Sequence, residues 1–328
     1  MLPLPPFAWI APRTLQAALD ALAAAPDETL VLAGGTDVLP NLKRGLHQPR
    51  RVLGLGRVAE LGHLEPRDGG LWLGAGVTLE RLATDPRTAA WFPALAAAAA
   101  AAATPQLRRM GTLGGNLCLD TRCAFYDQSA FWRDALHHCL KTTGDTCHVV
   151  PGGKRCVAAL AADTPAPLIA YQAEIELRST RGVRRLPLAT FYGGDGARNH
   201  VRARDELVTG VHVPAPSPEL ESAYVKLRAR QAVDFPLLSV AAAVSASDVR
   251  VVVAALGPRP RLVRLSAGAA ALAAARPLSP PAIDAIASAA AAQCHPLASL
   301  GAEQWRAEMV APTVRRALTT LVLSTTEP

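Results

Sequence analysis

Five of the six cysteines in this 328-residue chain fall between positions 118 and 156, and only Cys294 lies elsewhere. Such density asks for a local explanation. A chain without an export signal meets a reducing pool that disfavours disulfides, so clustered thiols point to metal binding or redox chemistry. Cys123, Cys139, Cys147 and Cys156 form the pattern C-x15-C-x7-C-x8-C, with Phe125, Tyr126, Phe131 and Trp132 among the intervening residues. Four thiolates from one folded loop suit a tetrahedral zinc or a cubane iron–sulfur cluster, since both take soft sulfur ligands away from water. The tight C-x2-C knuckle usual at zinc sites is missing, which favours iron and sulfur while leaving zinc and unligated structural cysteines open. Cys118 is an alternate ligand by spacing, although its place directly after Gly114-Gly115-Asn116-Leu117 favours packing. His137, His138 and His148 lie among the cysteines as possible ligands or hydrogen-bond donors to sulfur, and Cys294 reads as a small buried hydrophobe.

At roughly 150 residues per domain the length corresponds to about two domains. Half the residues are hydrophobic and 19% are charged, which excludes a disordered or collagen-like polymer. The longest apolar run, 94–103, falls short of the ~18 residues of a spanning helix, and early prolines interrupt any secretory pattern, so a soluble cytoplasmic protein without membrane insertion is expected. The 34 basic and 27 acidic residues leave a charge of +7, dispersed in pairs such as Arg50-Arg51, Arg108-Arg109 and Arg184-Arg185. No nucleic-acid-binding motif stands out; phosphate handling or an acidic redox partner is the sharper alternative to a plain basic surface.

Apolar spacing predicts a helix over 15–22, capped by Thr14 and stopped by Pro26, then a strand over 29–33 that runs into Gly34-Gly35-Thr36-Asp37. Strands at 52–55 and 71–73, a helix start at Leu79 and one Ala-dense helix over 86–103 follow. A second glycine cluster, Gly111-Thr112-Leu113-Gly114-Gly115-Asn116, comes next, and both clusters offer amides that an anion could approach closely. Residues 173–178 and 183–188 read as a hairpin, 207–213 as a strand and Pro214-Ala215-Pro216-Ser217-Pro218 as a linker. Beyond it, three strands (223–227, 238–244, 249–256) precede three helices (266–275, 281–292, 304–323), a small α+β domain without internal repeats. Hydrolase, phosphotransferase, metalloprotease and nicotinamide-Rossmann motifs are absent.

Three segments, Val31-Leu32-Ala33-Gly34-Gly35-Thr36-Asp37, Gly111-Thr112-Leu113-Gly114-Gly115-Asn116-Leu117 and Ala162-Asp163-Thr164-Pro165-Ala166-Pro167-Leu168, resemble in order and spacing the FAD-contacting segments of molybdenum hydroxylase medium subunits. These are the relatives of xanthine dehydrogenase and carbon monoxide dehydrogenase. Residues 187–193, 206–214 and 224–230 also fit, so the resemblance covers nearly the whole chain. It implies an α+β fold: a two-subdomain FAD-binding domain over 1–218, with a cysteine-rich insertion at about 118–158, and a C-terminal domain over 219–328 with a three-stranded sheet plus helices. FAD contacts are implied for Ala33, Gly34, Gly35, Thr36, Asp37, Gly111, Thr112, Leu113, Gly114, Gly115, Asn116, Asp163 and Lys226. Amides of Gly34, Gly35, Thr36, Gly114 and Gly115 are expected to donate to the pyrophosphate, and Thr36, Thr112 and Asn116 to add polar contacts. Asp163 is expected to accept from ribityl or ribose hydroxyls, and Lys226 to stand near the isoalloxazine.

In most of that family the Gly-Gly-Asn loop is followed within a few residues by the Asp segment, whereas here the cysteine loop separates Asn116 from Asp163. The stretch Gly114 to Cys123 resembles the β subunits of 4-hydroxybenzoyl-CoA reductases, which implies one 4Fe-4S cluster on Cys123, Cys139, Cys147 and Cys156. The implied role is an electron relay with no catalytic residue in this chain, from reduced ferredoxin through the cluster and FAD to a 2Fe-2S small subunit and a molybdopterin large subunit. Reductive dehydroxylation of 4-hydroxybenzoyl-CoA in anaerobic aromatic degradation, by a dimer of heterotrimers, is the implied reaction. The alternatives are a hydroxylase flavin subunit passing electrons outward to NAD or a quinone, and a non-redox module that keeps the fold.

Overall fold

The computed structural model describes residues 3–230, 233–245, 247–274 and 277–324. Strands β1 (Ala8–Ile10), β2 (Thr29–Leu32) and β3 (Arg51–Gly54) form a parallel sheet in the order β1-β3-β2. Helix Leu15–Ala23 connects β1 to β2; Thr14 Oγ1 accepts from Ala17 N at 3.2 Å to start it, and Ala18, Leu19 and Leu22 are the face it buries. The chain leaves the carboxyl end of β2 through the first glycine turn, where ligands bind in parallel sheets, and enters helix Val38–Lys43.

A second sheet is antiparallel. Its strands are β4 (Leu64–Arg67), β5 (Gly70–Gly74), β6 (Glu174–Ser179) and β7 (Gly182–Pro187); a ribbon of β8 (Tyr192–Asp195) and β9 (Arg198–His200) precedes its last strand, β10 (Leu207–Pro214). The order β4-β5-β10-β6-β7 places β10 at the centre, and β6 with β7 is the expected hairpin. The Ala-dense segment is two helices, Pro86–Trp91 and Pro93–Ala101, and not the single helix expected. Pro93 explains the break, since its ring and missing N–H cannot continue the preceding helix.

The third sheet runs β11 (Glu221–Leu227), β12 (Leu238–Val244), β13 (Val249–Ala254) and β14 (Arg261–Leu262), all antiparallel. It has four strands where three were expected, because two residues of β14 are too few to show an alternating pattern. Helices Ala267–Ala273, Pro280–Gln293, Glu303–Glu308 and Val310–Ser324 follow. The expected helix end at Ala275 lies outside the described residues. The expected helix over 304–323 is divided at Met309. Period-two alternation splits β12 between two cores: Ala241 and Ala243 join the core of the second sheet, while Val240, Ala242 and Val244 pack with Ile286, Val314 and Leu318 of the terminal helices. Parallel and antiparallel sheets with helices on their faces make this a mixed α/β architecture.

The cysteine-rich stretch leaves and re-enters the body at one point. Arg122 N donates to Ala159 O at 2.7 Å and Ala159 N to Arg122 O at 2.8 Å, closing a neck from which 123–158 project. Ala124 N donates to Ser299 O at 2.8 Å, tying the insertion to the C-terminal part. That loop is itself held by Arg306, which is fully buried and donates to Leu237 O (2.8 Å), Leu297 O (2.9 Å), Gly301 O (3.5 Å) and Ala255 O. Burial lowers the Arg306 pKa to about 10. Replacing Arg306 by Leu would leave these carbonyls unsatisfied and should cost on the order of 3 kcal/mol in a urea titration. Arg306→Lys should recover only part of that loss, because one ammonium lacks the span of the guanidinium.

Candidate functional site

At the end of β2, Gly35 takes φ +74°, a left-handed conformation open to glycine at no steric cost. The amides of Gly34, Gly35, Thr36 and Asp37 donate to no acceptor among the described residues. Successive unpaired N–H groups at a partly buried turn form a concavity suited to an anion. Gly34 also faces the second glycine cluster so closely that a Cβ on it would stand 1.8 Å from Met110 O and 3.0 Å from Gly111 N. A Cβ on Gly111 would lie 3.4 Å from Thr36 Oγ1, so the two glycine clusters form one site.

The second cluster contributes differently from expectation. Thr112 caps helix Leu113–Leu117 by accepting from Gly115 N at 3.1 Å, and Gly114 N donates to Ala75 O at 2.8 Å. Those amides are committed to building the turn, so the expected donation from Gly114 and Gly115 to a pyrophosphate is replaced by a scaffolding role. Gly114 is required because a Cβ there would sit 2.8 Å from Ala75 Cβ. Leu113 is a core residue, and Ala33 is half-buried just before the open amides. Asn116 Oδ1 accepts from Thr164 N at 3.0 Å and Thr164 Oγ1 at 2.6 Å, joining the second segment to the third across the insertion.

Asp163 and Lys226, expected to meet different parts of a flavin, meet each other. Their side chains are 6% and 4% exposed and pair at 3.0 Å. Tyr224 donates its hydroxyl to Asp163 at 2.8 Å, and Lys226 Nζ also donates to Ala101 O at 3.1 Å. Tyr224 and Lys226 are two apart on β11 and therefore on one face. Burial raises the Asp163 pKa, and Lys226 opposes the rise. Asp37 is likewise spoken for: its carboxylate pairs with Arg122 and accepts from Asn41 Nδ2 at 3.0 Å, with burial raising its pKa against Arg122.

Cys123, Cys139, Cys147 and Cys156 line a single cavity, together with Phe125, Tyr126, Lys141 and His148. All the cysteines are free thiols. His137 and His138 both adopt left-handed φ, +57° and +61°, at a cost of order 1–3 kcal/mol each. That turn brings Cys139 round to the cavity, with Cys139 N donating to Thr142 Oγ1 at 3.1 Å. Cys156 Sγ accepts from Ala158 N at 3.5 Å. Burial pushes the Cys123 thiol up and the Cys156 thiol to about 11. His148 lines the cavity but pairs its Nε2 with His138 O at 2.6 Å, and His138 Nε2 lies 3.0 Å from Asp134, so these histidines buttress the loop. Cys118 packs against the main core and Cys294 lies in the C-terminal core. Among the described residues no three His, Cys, Asp or Glu side chains gather as a single metal ion would require. The thiols surround a cavity instead.

Sequence reasoning missed the three cations that seat this insertion. Arg122 pairs with Asp37 and with Asp127 at 3.3 Å; Lys141 pairs with Asp120 at 2.6 Å; Arg133 donates to Gly45 O at 3.0 Å and to Gln128 O. Nothing in the sequence separates them from the dispersed surface arginines and lysines except their place beside cysteines.

A family model described as the FAD binding domain in molybdopterin dehydrogenase matches residues 5–216. The chain is 32% identical over 231 residues to the xanthine dehydrogenase FAD-binding subunit of Escherichia coli O157:H7, an alignment covering 70% of this chain and 65% of that relative's length. It is 27% identical over 320 residues to the carbon monoxide dehydrogenase medium chain of Hydrogenophaga pseudoflava, covering 96% of each. The solved structure of carbon monoxide dehydrogenase from Hydrogenophaga pseudoflava lacking the Mo-pyranopterin moiety shares the fold, with a TM-score of 0.78 at 24% identity over 97% of this chain and 98% of that one.

Two outcomes follow from the geometry. Gly34→Ala has no room beside the Met110 carbonyl and should abolish bound flavin absorption while leaving the far-UV circular dichroism nearly unchanged. Because burial raises the Cys156 pKa, its free thiol stays protonated near neutrality, and its alkylation rate should climb toward about pH 11.

Proposed function

The chain belongs to the family of FAD-binding domains in molybdopterin dehydrogenases, and from that premise we propose that it relays electrons between a 4Fe-4S cluster of its own and the FAD of a molybdenum enzyme. It is an oxidoreductase FAD subunit of the molybdenum hydroxylase type. The observation that carries the cluster is the convergence of Cys123, Cys139, Cys147 and Cys156 on one cavity, a donor set of soft sulfur.

The residues fit FAD at the first turn: Gly34, Gly35, Thr36 and Asp37 present open amides, and bare glycines let a pyrophosphate approach. FAD, when bound, accepts and releases electrons singly or in pairs. Asn116 fixes Thr164, and Asp163, Tyr224 and Lys226 keep a neutralised polar cluster in the protein interior. Lys226 therefore acts on a flavin as half of an ion pair rather than as a free cation.

The proposed division is a flavin part over 1–218 and a C-terminal part over 219–328. The proposed partners are a molybdopterin large subunit, a 2Fe-2S small subunit and ferredoxin as donor, in a cytoplasmic dimer of heterotrimers acting on 4-hydroxybenzoyl-CoA. No helix among the described residues is long and apolar enough to cross a membrane. A second reading, electron flow outward to NAD or a quinone, draws support from the xanthine dehydrogenase and carbon monoxide dehydrogenase relatives.

Anaerobic purification with metal, sulfide and flavin analysis tests the proposal. About four irons and four acid-labile sulfides per FAD are expected, and stoichiometric zinc without sulfide would overturn the cluster. Cys139→Ala should remove the iron and retain FAD; unchanged iron would overturn the ligand assignment.

A further inference from the structure

We propose that Arg122 is a positioning residue that couples the flavin turn to the thiol cavity, so that occupancy of one site strengthens binding at the other. This inference rests on the proposed FAD and cluster. Arg122 stands at the neck, its backbone fixed on both sides by Ala159. Its guanidinium bridges the Asp37 carboxylate to the Asp127 carboxylate, and Asp127 accepts through its other oxygen from Cys123 N at 3.1 Å. A continuous run of bonds therefore leads from the last open amide of the flavin turn to the first thiol ligand.

Charge explains why an arginine is needed there. A turn built to hold a pyrophosphate carries an acid, Asp37, at its end, and an unneutralised carboxylate would repel the ligand. Arg122 cancels that charge; its side chain is 10% exposed, and the Phe235 ring covers it with 4.4 Å between guanidinium carbon and centroid. The other titratable groups around Asp37 are Asp120, Asp127 and His47; His47 and Lys141 both face Asp120, which leaves Arg122 as the ion-pair partner of Asp37. Only a fork can hold two carboxylates in fixed relative positions. A shift of Cys123 on loading or emptying the cavity is thereby passed through Asp127 and Arg122 to Asp37 and its amide.

The test is FAD affinity, read by flavin fluorescence on the full chain, in iron-loaded and chelator-stripped protein. For the wild type, stripping should weaken FAD binding roughly tenfold, within the 5–150-fold span typical of coupled sites. Arg122→Met should bind FAD more weakly and no longer respond to iron, whereas a merely structural arginine would lower affinity by the same factor in both forms. Equal affinity of loaded and stripped wild type, or an iron response that survives in Arg122→Met, overturns the coupling. Should Arg122→Met fail to fold, Asp127→Asn cuts the same bridge on the cysteine side and should lose the iron response while keeping FAD; retention of the response overturns the coupling. Protein that carries FAD but never iron fails the cluster proposal and the coupling together, while iron without linkage fails the coupling alone.

Discussion

Four consecutive amides, from Gly34 to Asp37, that meet no acceptor among the described residues are the constraint around which the rest of the molecule is arranged. A turn with unpaired donors is unfavourable by itself and persists only where its surroundings leave no alternative conformation. Three features do this. The parallel sheet fixes where the chain leaves β2, the Met110 carbonyl presses on Gly34 from the second cluster, and Arg122 holds Asp37 at the far end. The electrostatic demand of the ligand is written into the backbone before any ligand arrives.

The most legible parts of the sequence were those where one residue type is forced. Gly34 and Gly35 stand out as a glycine pair at a strand end, where no side chain fits at one and φ is positive at the other, and the four cysteines stand out by their clustering and line one cavity. Partnerships were much less legible. Gly114 and Gly115 look like anion donors until Ala75 and Thr112 are seen to occupy their amides. Asp163 and Lys226 are far apart in sequence and carry no sign that β11 brings them into one buried pair. Arg122, Arg133 and Lys141 were invisible for the same reason, since a charge in a sequence bears no record of whether it will be solvated or buried.

Buried polar clusters also decide how the C-terminal sheet sits. One face of β12 belongs to the core of the second sheet and the other to the terminal helices, an arrangement that apolar packing alone would permit in more than one register. The Asp163–Lys226 pair with Tyr224, and the carbonyls gathered by Arg306, each accept few geometries, so they select among packings of similar hydrophobic content. Their cost in desolvation is thus exchanged for uniqueness.

The neck formed by Arg122 and Ala159 has a further meaning. Residues facing each other across an antiparallel bridge have Cα atoms only about 5 Å apart, a gap that a two-residue turn can close. As far as the neck itself is concerned, a tight turn could therefore take the place of the thirty-six residues from 123 to 158. A chain built this way can gain or lose its whole cysteine-bearing loop as one graft, because the backbone on both sides is already joined by its own pair of bonds.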